Sequence, residues 1–138
     1  GKNGEAKWRA EPITTDDEFG NIDLNDALGP EKGAAVYLYT EIEVPTAQAA
    51  QVRYASPNGV RVWVNGKLIA SNEVYHAGGE VDQYTSDTNL VAGKNSLLLK
   101  VCQNEQKESW AQAWSFQLRI CEPLGGATPF TPQSERGP

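Results

Sequence analysis

The feature that most constrains this chain is an apolar alternation of period two that breaks at Asn-Gly. In Val60-Arg61-Val62-Trp63-Val64 every second residue is a β-branched aliphatic, and Asn65-Gly66 follows at once. Successive side chains of a strand point to opposite faces, so Val60, Val62 and Val64 line a core while Arg61 and Trp63 face away. A type I′ turn needs positive φ at both central residues, which Asn and Gly supply most readily. Residues 67–70 are therefore expected to return antiparallel to 59–64.

The same grammar recurs along the chain. Strands are expected at 7–11 (carrying Trp8), 34–44, 51–56, 97–103 and 110–120. In 34–44, Val36, Leu38, Ile42 and Val44 share the inner face and Tyr37 and Tyr39 the outer one. Trp114, in step with Phe116, and Trp8 are both expected in the core. Pro57-Asn58-Gly59 and Ala92-Gly93-Lys94-Asn95 read as turns. Helical signal is confined to Thr46-Ala47-Gln48-Ala49-Ala50 after Pro45, enough for one turn. Residues 71–88 read as a long polar loop bearing aromatics. Short alternating strands at this spacing predict an all-β, two-sheet antiparallel β-sandwich of jelly-roll type. Residues 1–124 form the sandwich, and the Gly, Pro, Thr and Ser of 125–138 read as a flexible linker.

The length of 138 residues suits one domain, and 39% apolar with 22% charged residues is a globular composition. Twelve basic against 18 acidic residues leave a net charge of −6, with Arg and Lys scattered singly. That excludes a basic footprint for nucleic acid or for an anionic membrane surface, and no apolar run is long enough for membrane insertion. The chain has no methionine, so it reads as a piece excised from a larger protein. Cys102 and Cys121 are expected to be free. If 97–103 and 114–121 pair as a hairpin, the two sit about 20 Å apart, beyond disulfide reach.

Three segments carry a family resemblance. Val60-Arg61-Val62-Trp63-Val64-Asn65-Gly66-Lys67-Leu68, Gly93-Lys94-Asn95-Ser96-Leu97-Leu98-Leu99-Lys100-Val101 and Trp114-Ser115-Phe116-Gln117-Leu118-Arg119-Ile120 resemble, in order and spacing, elements of galactose-binding-domain-like jelly rolls. These include the sugar-binding domains of beta-galactosidase-type glycosidases, carbohydrate-binding modules and accessory domains of secreted bacterial proteins. The resemblance implies that fold, a leaning towards sugar, and an extracytoplasmic or secreted setting. Its motifs form turns and strands and carry no ligand residue with them.

Candidate sites are argued from residue type. A sugar's C–H face packs on an aromatic ring, while amides, carboxylates and Arg hydrogen-bond its hydroxyls. The candidate ligand set is Trp63, Arg61, Tyr75, His76, Tyr84, Gln103, Asn104 and Trp110. Binding through neutral hydroxyls is expected to be weak and indifferent to salt. For a metal, Asp16, Asp17, Asp23, Asn25 and Asp26 could supply oxygens to a structural calcium, although acidic loops are ordinarily solvated and the spacing is not that of an EF-hand. No cofactor is required. His76 is the single histidine and no Gly-x-Ser-x-Gly element exists, so the chain is not expected to be an enzyme. Two readings stand: a non-catalytic carbohydrate-binding accessory module, or a structural module packing against a neighbouring catalytic or repeat domain.

Overall fold

The computed structural model describes residues 4–75, 80–124 and 126–132. Its strands are β1 (Ile22–Asp23), β2 (Ala34–Val44), β3 (Gln48–Ala55), β4 (Gly59–Val64), β5 (Lys67–Asn72), β6 (Tyr84–Leu90), β7 (Gly93–Gln103), β8 (Ser115–Cys121) and β9 (Thr131–Pro132). They form two antiparallel sheets, a smaller one ordered β1-β8-β3-β6 and a larger one ordered β5-β4-β7-β2-β9. The two-sheet sandwich expected from the alternation is the fold observed.

The core lies where the alternation puts it. Ala50, Val52, Tyr54, Leu90 and Phe116 of the smaller sheet meet Ile42, Val44, Val60, Val62, Val64, Leu97, Leu99 and Val101 of the larger one, all buried. Trp114 joins them, as expected. Asn65 and Gly66 have φ of 51° and 78°, the left-handed pair that the hairpin turn requires. Opposite Val62 and Trp63, β5 bulges: Ala70 pairs with Val62 but Leu68 pairs with Trp63. Ile69 and Ala70 both pack on the core, which turns Leu68 outward beside Trp63.

Several expectations are corrected. Residues 7–11 form no strand, and Trp8 is 70% exposed instead of buried. The helical turn expected at 46–50 is overtaken by β3, where Ala50 fills the core. The polar stretch 71–88 contains the end of β5 and most of β6, an edge strand beside β3. Most important, β7 and β8 are not a hairpin, because they lie in different sheets and residues 104–114 cross between them. Both cysteines are nevertheless free.

The crossover is held by a buried polar hub. Asn58 donates to Ala113 O at 2.9 Å and accepts from Ser115 N at 3.0 Å, and Ser56 Oγ donates to Ser115 O at 2.6 Å. The turn between β3 and β4 thus substitutes for the missing hairpin bonds. Part of the expected linker is also folded. Glu122 N donates to Gly126 O at 2.6 Å, Ala127 bridges to Cys121, and β9 pairs with Ile42 and Glu43 of β2. Residues 125 and 133–138 lie outside the described ones.

Candidate functional site: the outer face of the larger sheet

The register of β4, β7 and β2 assembles an outward face from residues far apart in sequence. Trp63 pairs with Leu98, and Leu98 with Tyr39, so one cross-strand row runs Leu68-Trp63-Leu98-Tyr39. Trp8 continues the row, its ring edge-on to Tyr39 with centroids 6.3 Å apart. Tyr39 is 50% exposed and Leu68 47%, while Trp63 and Leu98 are half-buried. Neighbouring strands lie about 4.8 Å apart, so Trp63 and Tyr39, two strands apart, are roughly 10 Å from each other.

A polar row lies beside it. Arg61 pairs with Lys100, and Lys100 with Tyr37, whose ring centroid is 5.7 Å from the Lys100 ammonium. Arg61 also meets the Glu73 carboxylate at 3.3 Å. At the end of the face the tip of the Tyr75 phenol packs on Gly59: a Cβ added there would meet its Cζ and hydroxyl at 3.3 Å. Glycine is what lets the phenol lie so close. Burial, with Cys102 and Glu73 beside it, raises the Tyr75 pKa.

The expected ligand set therefore divides. Arg61, Trp63 and Tyr75 come together on this face. Trp110, 61% exposed on the 3-10 turn Ser109–Ala111, sits in the crossover with Asn104, at the end of the sheet where β7 stops. Two residues leave the set. Gln103 is buried, donates to Ala113 O at 3.2 Å and accepts from Asn58 Nδ2 at 3.3 Å, so its amide braces the crossover. Tyr84 packs against Tyr54 with centroids 5.2 Å apart, at the rim of the core. His76 lies outside the described residues. Lys100, Tyr39, Tyr37 and Trp8 join the face. Outward parity already marked the two tyrosines, but only strand pairing places them beside Trp63 and Arg61.

The acidic segment does not gather its five oxygen donors. Asp17 Oδ2 accepts from Phe19 N at 3.0 Å and Asn21 N at 2.9 Å, closing its own turn. Asp23 caps the short helix α1 (Leu24–Leu28), accepting from Asn25 N and Asp26 N. Asn25 donates across to Gln112 O at 2.9 Å, and Asp16 is exposed. Among the described residues no group of three or more His, Cys, Asp or Glu side chains is arranged to hold a metal ion. No described helix is long and apolar enough to cross a membrane.

No family model and no curated protein matches the chain. Among solved structures it is similar to a family 35 carbohydrate-binding module from an environmental isolate, at 21% identity, with 80% of each chain covered and a TM-score of 0.38.

Proposed function

We propose that the protein is a non-catalytic carbohydrate-binding module that lays an extended glycan across the outer face of its larger sheet. The observation that carries this reading is the row Trp63-Leu98-Tyr39, with Trp8 at its end. Two rings about two strand spacings apart match the length of roughly two pyranose units in an extended chain, so each can take the C–H face of one sugar. The carboxylate of Glu73, the guanidinium of Arg61 and the phenols of Tyr37 and Tyr75 flank the row with groups suited to hydroxyls. An accessory role within a larger secreted protein accords with this function. A flat face buries little of a sugar, so affinities in the micromolar to millimolar range are expected.

The test is a titration of tryptophan fluorescence with a panel of plant and algal polysaccharides. Trp63→Ala and Tyr39→Ala should each weaken binding about tenfold or more, as expected for removing a stacking ring. The melting curve of each variant checks that the fold is intact. Wild-type protein that binds no member of the panel, or variants that bind as well as wild type, would overturn the reading. The rival, a packing module against a neighbouring domain, draws on the aliphatic Leu68 and Leu98 in the same row. It predicts that Trp63→Ala weakens attachment to that domain in a longer chain and leaves glycan titrations flat.

A further inference from the structure

Each sheet carries a pair of cations placed directly opposite one another on its outward face, and the two pairs are treated differently. On the smaller sheet Arg53 pairs with Arg119. Asp82 sits between them, hydrogen-bonded to Arg119 Nε at 2.8 Å and 3.7 Å from the Arg53 guanidinium. Asp82 adopts φ of 57° there, an uncommon conformation for a residue with a side chain. Both arginines thus share one largely covered carboxylate.

On the larger sheet Arg61 pairs with Lys100. Its nearby carboxylate, Glu73, reaches Arg61 alone and its side chain is 80% exposed. Among the described residues no carboxylate forms an ion pair with Lys100, whose ammonium lies over the ring of Tyr37. Like charges directly opposite on a sheet are unfavourable, and a protein of net charge −6 has acidic residues to spare. A locally costly pair left short of an anion, one row away from a stacking surface, suits a ligand that brings the anion itself.

We infer that the glycan taken by this face is acidic, and that a carboxylate or sulfate on the sugar sits between Arg61 and Lys100 while its ring stacks on the adjoining aromatics. This inference rests on the glycan-binding reading and narrows it. The Arg61 fork can donate two N–H groups to an oxyanion, and the Lys100 ammonium adds a point charge. The remaining negative charge of the protein does not forbid such a ligand. At physiological salt the Debye length is about 8 Å, so distant carboxylates are screened while charges in contact are not. Salt dependence, unexpected for neutral hydroxyls, becomes the signature.

The experiment is calorimetry of the whole chain against polygalacturonate, its fully methyl-esterified form, dextran sulfate and dextran. Each charged polymer is compared with its neutral counterpart. At least one is expected to bind about tenfold more tightly than that counterpart, and to weaken as salt is raised. A preference for polygalacturonate names a carboxylate, and one for dextran sulfate names a sulfate ester. Lys100→Gln, at a half-buried site, should erase most of that preference with neutral-polymer binding and melting temperature unchanged, whereas Arg61→Gln should erase it and also weaken neutral-polymer binding. Equal affinity for charged and neutral polymers, or a preference untouched by both variants, overturns the acidic ligand and leaves glycan binding standing. Absence of binding to all four polymers and to the wider panel overturns both.

Discussion

The side-chain amide of Asn65 donates to Oδ1 of Asn95 at 2.8 Å, which joins the turn of the β4–β5 hairpin to the turn that opens β7. Asn95 is fully buried, accepts from Val91 N at 2.9 Å, and donates to Val91 O at 2.9 Å and Gly93 O at 3.1 Å. Asn65 completes the link by accepting from Ser96 N at 2.8 Å. Two motifs that read locally as separate turns are one hydrogen-bonded unit at one end of the larger sheet.

Replacing Asn95 with Ala should therefore cost far more than an ordinary turn substitution. It removes a fully buried amide that makes four hydrogen bonds, to Asn65, Val91 N, Val91 O and Gly93 O, for a loss of about 2 kcal/mol. Chemical denaturation should show a lower midpoint with an unchanged slope. Asn65→Ala alone should cost less, and the double variant less than the sum of the two. Strict additivity would mean that the two turns do not act together.

High pH should destabilise the protein through Tyr54. Burial, and next the neighbouring Tyr84, push its pKa up to about 12, and its hydroxyl donates to Asn72 Oδ1. A phenol whose folded pKa is raised binds its proton more tightly in the native state than in the unfolded one. Its contribution is complete below the ordinary tyrosine value and is lost as pH rises towards the folded one. Melting temperature should fall between about pH 10 and 12, and the fall should be shallower in Tyr54→Phe. Parallel curves for the two proteins would remove Tyr54 as the cause.

Thiol chemistry tests the sheet assignment. Cys102 is half-buried on the outer face of β7 and Cys121 fully buried in β8. A thiol reagent should label Cys102 first in the native protein and both cysteines in denaturant without reductant. Labelling of Cys121 at an equal rate would show that β8 is not covered as described.

What was legible beforehand follows from how local each signal is. The strands β2 and β4, the outward parity of Arg61 and Trp63, and the Asn-Gly turn rest on neighbouring residues, and each appears as read. Strand β6 hid because its core-facing side includes Ser86 and Thr88, small polar residues that an edge strand tolerates. Ser86 indeed satisfies its hydroxyl on Ile69 O at 2.6 Å. Trp8 was misplaced because alternation around a single tryptophan cannot distinguish a core strand from a segment lying against the outside of Tyr39. The meeting of Arg61 with Lys100, and of Trp63 with Tyr39, depends on β7 lying between β4 and β2. No pattern within one strand encodes that order.

The segment 126–132 has a consequence for how the domain can be cut. β2 is paired with β7 along its whole length, and on its other side, among the described residues, β9 pairs with Ile42 and Glu43. Ending the chain at residue 124 would take away that strand and the bridge to Cys121, and would bare the last turn of β2 to any extended peptide nearby. A protein trimmed there would keep its core and its aromatic face, yet gain an adhesive margin. Clumping in concentrated solution would then report on where the scissors fell and not on the stability of the sandwich.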